Sequence, residues 1–193
     1  MNEKKNLTTK ETFALAVQNQ KKNNLQVAEK LYRETLKINP NHVDAHNNLG
    51  IILLRLGKSQ IAKSCFEKSI EIDPNHANAH NNLGVVFRQL SEHQKAKSCY
   101  EKAIEINPNY ASAHNNLGEV SRLLGNLQKA KSCHQKAIEI DSNNASAHNN
   151  LGEVFRLLGE LQKAKSCHQK AIEIDPNNAS AHNNLGEVFR LLG

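Results

Sequence analysis

The sequence predicts an all-α solenoid, a stack of similar helical hairpins that follow one another along the chain. Three observations lead to this fold class: a period of 34 residues, two apolar stripes of helical spacing in each period, and turn residues at fixed places between the stripes. The segment ASAHNNLGEVFRLLG occurs at Ala145 and again at Ala179, and a copy at Ala111 differs only at Ser121. Because such units bury their apolar faces against their neighbours, the chain needs no single central core.

The period divides the chain into a polar leader and a repeat array. We predict a leader at residues 1–8 and an array at 9–193, with five complete units of equal length and one half unit. The units are 9–42, 43–76, 77–110, 111–144, 145–178 and the half unit 179–193. Positions within a unit are numbered from 1 to 34 below.

Each complete unit is predicted to contain two helices joined by a short turn. Packing residues fall at positions 4, 7, 8, 11 and 14 of the first half, and the second half has packing residues with a similar helical spacing. Gly159 separates the two helices of unit 145–178, and Pro176 ends the second one because proline cannot continue the hydrogen-bond ladder. The predicted packing residues of this unit are His148, Leu151, Gly152, Phe155, Leu158, Leu161, Ala164, His168, Ala171 and Ile172.

The repeat resembles the tetratricopeptide repeat over residues 9–193. In unit 77–110 the resemblance is carried by Leu83, Gly84, Phe87, Ala96, Tyr100, Ala103 and Pro108. It implies a right-handed α-solenoid whose concave face binds segments of partner proteins. The chain departs from the family pattern with histidine at position 4, with His134 and His168 at the usual aromatic position 24, and with Ser142 in place of proline.

The two ends of the array differ. In the first unit Leu15 and Ala16 replace Leu-Gly, the helix is polar, and Thr8 and Glu11 have the spacing of a capping box, as expected at a natural end of stacking. The half unit lacks the second helix on which its apolar stripe normally packs. We expect either that the protein continues, which we favour, or that the stripe meets another molecule in self-association. The stripe consists of Leu185, Val188, Phe189 and Leu192.

Composition excludes several function classes. The formal charge is +6, but residues 1–42 hold eight basic against four acidic residues, so the array carries no continuous basic face for a nucleic acid. No apolar run is long enough to span a membrane, and the start lacks the pattern of a signal peptide. We therefore predict a cytoplasmic protein with no nucleic-acid or membrane partner.

Cysteine and histidine repeat with the array, which favours packing roles for both. Cys65, Cys99, Cys133 and Cys167 share one position and should lie too far apart for disulfide bonds. Cys133 and His134 are expected to face His148 across a unit junction, but this set lacks the four-ligand pattern of a structural zinc site. No set of nucleophile, base and acid stands apart from the repeat. We predict no metal, no cofactor and no catalytic residue in this chain.

Paired asparagines at positions 5 and 6 are the most informative feature of the first helices. Asparagine is a mediocre helix former, so its presence in five helices calls for a reason. One interpretation is structural: the position-6 amide bonds neighbouring backbone and stiffens the stack. The other is functional: an amide both donates and accepts, so a row of amides can bind the backbone of an extended peptide. The residues are Asn47, Asn48, Asn81, Asn82, Asn115, Asn116, Asn149, Asn150, Asn183 and Asn184.

The position-6 row resembles the asparagine ladder in the superhelix of O-linked N-acetylglucosamine transferases. The resemblance places the ladder on Asn48, Asn82, Asn116, Asn150 and Asn184. Charged pairs with i, i+3 spacing stand beside it, and they are either surface ion pairs or selectors of charged ligand side chains. These pairs are Glu119 with Arg122, Glu153 with Arg156 and Glu187 with Arg190.

The sequence thus predicts a protein–protein interaction scaffold that binds extended peptide segments in its concave groove. One alternative is that the array recruits substrates for a larger enzyme, such as a glycosyltransferase, whose catalytic domain lies beyond this chain. A second alternative is purely structural, with the exposed half unit stacking arrays into oligomers.

Overall fold

The computed structural model describes residues 8–193, which form eleven helices and no strand. Seven of the eight residues in the predicted leader lie outside the described residues. The contacts within the chain divide it into two compact units, of which one ends at Val86 and the other spans Phe87–Gly193. The boundary falls within a helix, and each unit is described by itself.

The first unit consists of helical hairpins with short turns. Helix α1 packs on α2, α2 on α3, and α3 on α4. The helices are α1 (Thr9–Lys21), α2 (Leu25–Ile38), α3 (Val43–Arg55), α4 (Ser59–Ile72) and most of α5 (Ala77–Gln89).

The second unit continues with the same kind of hairpin. Helix α7 packs on α8, α9 on α10, and α11 packs on both α9 and α10. After the end of α5, the helices are α6 (His93–Ile106), α7 (Ala111–Leu123), α8 (Leu127–Ile140), α9 (Ala145–Leu157), α10 (Leu161–Ile174) and α11 (Ala179–Leu192).

The turn inside each hairpin depends on a left-handed residue at position 15. Gly57, Gly125 and Gly159 have φ between 74° and 79°, a conformation that glycine adopts at little cost. Asn23 and Ser91 hold the same conformation in their units, with φ of 62° and 60°. The predicted role of Gly159 in separating two helices is therefore confirmed.

The capping box at the start of α1 is also confirmed. The side chain of Thr8 accepts a hydrogen bond from the backbone N–H of Glu11, and the Glu11 carboxylate accepts one from the backbone N–H of Thr8 at 2.8 Å. The reciprocal bonds satisfy two backbone donors that a helix start otherwise leaves unpaired.

The buried face of the first helices is wider than the predicted stripe. Leu151, Gly152 and Phe155 are buried as expected, but so are Ala147 and Val154 at positions 3 and 10, which the prediction left out. The reason is that α9 contacts helices of its own hairpin and of the adjacent ones, so it buries more than one face. A single helical stripe cannot reveal this second contact surface.

The ring at position 24 lies directly on the glycine at position 8 of its own hairpin. A Cβ atom built on Gly118 would lie 2.6 Å from Cε1 of His134, and one on Gly152 would lie 2.7 Å from Cε1 of His168. Phe66 covers Gly50 in the same way at 2.6 Å. All three rings are fully buried, so this contact sets how closely the two helices approach.

Gly118→Ala is expected to destabilise the protein, because the added methyl group collides with the buried His134 ring. Gly186→Ala is the matched control: it lies in the same local sequence, but nothing occupies the space within 4 Å of its Cβ. We expect the free energy of unfolding of Gly118→Ala to fall below that of Gly186→Ala by about 1–3 kcal/mol, measured by chemical denaturation. Equal values for the two variants would contradict the contact.

Candidate functional site

The position-5 asparagines are largely buried rather than presented to a ligand. Asn47 is 4% exposed, Asn81 6% and Asn149 9%, whereas Asn183 in the half unit is exposed. This differs from the expectation that positions 5 and 6 form one accessible pair. The physical reason is that the neighbouring helices cover position 5, whereas among residues 8–193 no helix follows α11 to cover Asn183.

The position-6 asparagines link consecutive repeats through the position-5 amides, of which Asn115 is half-buried. Asn82 Nδ2 donates to Asn47 Oδ1 at 2.9 Å. In the second unit, Asn150 Nδ2 donates to Asn115 Oδ1 at 3.2 Å, and Asn184 Nδ2 donates to Asn149 Oδ1 at 3.1 Å. A structural role of the position-6 row is thus present, although its acceptor is a side-chain amide and not the backbone.

The histidines at position 24 bond to the same amide oxygens. His134 Nδ1 lies 2.8 Å from Asn115 Oδ1, and His168 Nδ1 lies 3.0 Å from Asn149 Oδ1. An amide oxygen can only accept, so Nδ1 carries the proton in both rings. Each oxygen therefore accepts from its own hairpin and from the next one, which joins the core to the asparagine row.

Burial keeps these two histidines neutral. Desolvation lowers the pKa of His134 from 6.5 to about 4, although the charge of Glu119 acts in the opposite direction. Burial likewise lowers the pKa of His168, with Glu153 opposing it. The Nε2 atoms of both rings are buried without a hydrogen-bond partner among the described residues, so protonation there would place an unpaired donor in the core.

A polar cleft of about 330 Å³ opens beside the asparagine row of the second unit. We call it the amide cleft, and its lining combines amides, hydroxyl groups and two charged side chains. No hydrogen bond of Asn150 Oδ1 is found among the described residues, which leaves this atom able to accept one from a ligand. The lining residues are Arg88, Asn115, Asn116, Glu119, Ser146, Asn149, Asn150, Asn178 and Ser180.

The predicted Glu/Arg pairs form as bidentate ion pairs. Arg122 holds Glu119 at 2.8 and 3.1 Å, and Arg156 holds Glu153 at 2.8 Å twice. The third pair, Arg190 with Glu187, has the same geometry at 2.7 and 2.9 Å. Burial raises the pKa of Glu119, but the hydrogen bond and charge of Arg122 outweigh it and leave the pKa below its ordinary value.

Arg88 differs from the other arginines of the second unit. Position 9 of its repeat holds Val85 instead of glutamate, and no ion pair of Arg88 is found within the described chain. Its side chain lines the amide cleft together with Glu119, which Arg122 holds in a bidentate pair of its own. The cleft therefore contains a guanidinium group that no carboxylate of the described residues holds in an ion pair, although its charge helps to lower the pKa of Glu119.

The position-4 histidines brace the turns between hairpins. The Nε2 atoms of His46, His80, His114, His148 and His182 lie 2.8–3.1 Å from the backbone carbonyl six residues earlier.

The predicted grouping of Cys133 and His134 with His148 does not form, since His134 turns into the core of its own hairpin. In the described residues no three histidine, cysteine or acidic side chains are placed to hold a metal ion. None of the four cysteines forms a disulfide bond within the described residues.

The apolar stripe of α11 is only partly exposed. Phe189 is 48% and Leu192 37% exposed, and Leu185 is half-buried. Val188, predicted as part of the open stripe, is instead fully buried against Leu151, Phe155 and Ala164. It belongs to the contact with α9 and α10, so only the other three residues of the stripe stay candidates for self-association, which remains a prediction.

Comparison with family models covers nearly the whole array. A tetratricopeptide repeat model matches residues 41–109, 76–143 and 109–177, and two further models of the same repeat match 13–60 and 169–193. The chain belongs to the tetratricopeptide repeat family. The closer resemblance to the transferase superhelix is not among these findings and stays a sequence-based prediction. No curated protein sequence matches the chain.

Solved structures with the tetratricopeptide repeat fold align along most of the chain. MamA is 27% identical over 85% of this chain and 96% of its own, with a TM-score of 0.71. PilF of Pseudomonas aeruginosa is 20% identical over 94% of this chain and 84% of its own, with a TM-score of 0.83. YrrB, described as having an unusual peptide-binding site, is 24% identical over 91% of both chains, with a TM-score of 0.68. These likenesses confirm the predicted all-α solenoid fold.

No helix among the described residues combines the length and the apolar character needed to cross a bilayer. The cytoplasmic location remains a prediction.

Acid is expected to destabilise the protein through its two buried histidines. Their pKa values are lower in the folded chain than the ordinary 6.5, so their contribution to stability is complete above that pH and is lost as the pH falls toward about 4. His134→Phe with His168→Phe, which copies Phe66 of unit 43–76, should remove on the order of 1–3 kcal/mol of the decline between pH 7 and 4.5. Chemical denaturation at several pH values measures it. Parallel pH curves for wild type and variant would contradict the assignment.

Proposed function

We propose that the protein is an interaction scaffold that binds extended segments of partner proteins in the groove containing the amide cleft. The tetratricopeptide repeats and their fold neighbours support a protein-interaction scaffold as the general role. The observation that carries the finer proposal is the cleft of about 330 Å³, whose lining combines the Asn150 amide, with unused hydrogen-bonding capacity, and the guanidinium group of Arg88.

Asn150 suits backbone recognition because the repeat uses only part of its amide. Asn150 donates one N–H to Asn115, and its other N–H and its Oδ1 remain for a ligand. A peptide unit offers one donor and one acceptor, so it pairs with such an amide whatever its side chain is. Repeats about 10 Å apart would meet roughly every third residue of an extended chain.

The charged side chains beside the asparagine row differ in how readily they can contact a charged side chain of a peptide. Glu119 and Glu153 are held by their own arginines, so opening either pair for a ligand would sacrifice two charge-assisted hydrogen bonds. Arg88 needs no such exchange. We therefore expect the cleft to favour peptides that carry an acidic side chain at the point nearest Arg88.

The test must separate ligand contact from the bonds that the same amides make between repeats. Asn82→Ala and Asn47→Ala break one hydrogen bond from its two ends, and Asn150→Ala and Asn115→Ala break another. Only Asn82 and Asn150 are position-6 residues. Within each pair, both variants lose the hydrogen bond between repeats, and only one variant loses the position-6 amide. Asn115→Ala additionally removes the acceptor of His134 Nδ1, so it is the more damaging change to the structure.

We expect Asn82→Ala with Asn150→Ala to weaken the binding of unstructured peptides, selected by display on the wild-type chain, by about tenfold, since each lost hydrogen bond contributes roughly 0.5–1.5 kcal/mol. Asn47→Ala with Asn115→Ala should retain most of the affinity. Fluorescence polarisation gives the dissociation constants, and far-UV circular dichroism checks that helicity is preserved. Equal losses in the two double variants would assign the amides to stacking alone.

A further inference from the structure

Position 11 of the first helix holds phenylalanine in three of the last four repeats and serine in the other. Phe87, Phe155 and Phe189 occupy it in three repeats, whereas unit 111–144 has Ser121. Phe155 is buried against Leu151, Ala164 and Val188. Ser121 is equally buried, but its Oγ donates to the carbonyl oxygen of Leu117 one turn back in the same helix, at 2.7 Å. It does not reach across the space that a phenylalanine ring would fill.

A cavity of about 410 Å³ stands at this place. Ser121 lies at its base, and exposed polar side chains of α6 and α8 form its rim. Together with Ser121, the lining includes Lys97, Glu101, Leu124, Asn126 and Lys129. The lining shares no residue with the amide cleft, so the two can be occupied at the same time.

The next repeat shows which chemical group these lysines accommodate. Lys131 and Lys163 place their Nζ atoms 5.1 and 5.5 Å from the centre of the Phe155 ring. Lys97 and Lys129 are the equivalent residues, 34 positions earlier. The cavity at Ser121 therefore keeps both cationic neighbours of an aromatic ring and lacks the ring. A cation near the face of an aromatic ring is attracted by the ring quadrupole.

We propose that this cavity, the Ser121 pocket, receives the aromatic side chain of a tyrosine from a partner protein, inserted between Lys97 and Lys129. A ring that enters from outside points its para substituent toward the base, where Ser121 Oγ, already donating to Leu117, still accepts a hydrogen bond from a phenol. The site lies outside the amide cleft and goes beyond the peptide binding proposed above.

The charges of the rim favour an aromatic over an anionic group. Lys97 Nζ already lies 3.9 Å from the Glu101 carboxylate, so an incoming carboxylate would meet a like charge beside its partner. A phenol ring brings no net charge, and it buries apolar area on Leu124 while its face attracts the two ammonium groups. Aliphatic groups of the same size lack that last attraction.

The first experiment uses p-cresol, the side-chain analogue of tyrosine, titrated into the full chain and followed by ¹H–¹⁵N NMR. Shifts should concentrate at the amides of Ser121, Leu124 and Lys129. 4-Methylcyclohexanol has the same size and hydroxyl group but no aromatic face, and it should bind about three- to tenfold more weakly. Absence of p-cresol shifts at these residues, or equal affinity for both compounds, would overturn the proposal.

A matched pair of variants tests whether the residue at position 11 determines the presence of the pocket. Ser121→Phe should fill the pocket, abolish the p-cresol shifts and raise the Tm by roughly 2–4 °C. Phe155→Ser should open a second pocket between Lys131 and Lys163 and gain p-cresol shifts there. Persistent binding in Ser121→Phe, or no new binding in a folded Phe155→Ser chain, would contradict it. Lys129→Met, which leaves the packing intact, should weaken p-cresol about two- to fivefold.

The source of the ring is tested by sedimentation over a range of concentrations. A wild-type chain whose sedimentation is unaffected by Ser121→Phe agrees with a ring from a different protein. If the wild-type chain self-associates and Ser121→Phe abolishes this, the occupant is a second copy, for which the half-exposed Phe189 is available, and the assignment to a different partner is wrong.

Discussion

The ring at position 24 rests on the glycine at position 8 of its own hairpin, and the spacing of the two helices follows from that contact. A single methyl group on Gly118 or Gly152 would come within 2.7 Å of a ring atom, so the helices can approach this closely only because the glycine has no side chain. Close-packed interiors tolerate such changes of volume poorly. The identity of the ring, however, varies, and each choice brings its own hydrogen-bonding needs into the core.

Histidine at this place connects the core to the surface of the repeat. His134 and His168 donate to the amide oxygens of Asn115 and Asn149, and those oxygens also accept from the asparagine of the following repeat. A phenylalanine ring, as at Phe66, makes no such bond. In the later repeats, hydrogen bonds from the buried histidines thus hold the asparagine row in place. This arrangement pre-orders the amides that line the cleft, which would lower the entropy lost in the proposed binding of a peptide.

Near-identity of the repeats makes each departure from the pattern informative. Val85 in place of glutamate leaves Arg88 without the ion pair that holds the other arginines of the second unit, and Ser121 in place of phenylalanine leaves two lysines without their ring. In both cases, a neighbouring repeat shows the group that is missing. The amide cleft and the Ser121 pocket therefore each lack a side chain that other repeats contain, a glutamate in the first case and a phenylalanine in the second.

The sequence by itself determined the helical hairpin and its period, because apolar spacing, left-handed turn glycines and capping residues act over a few neighbouring positions. Gly159, Thr8 and the Glu119–Arg122 pair could all be assigned for this reason. Only the tertiary structure decided that Asn47 and Asn149 are buried, that Val154 and Val188 join the core, and that His134 turns away from His148. Each of these depends on contacts between helices of different repeats, which a pattern along one helix does not contain. The lining of the Ser121 pocket is of the same kind, since Lys97 and Lys129 come from two different hairpins.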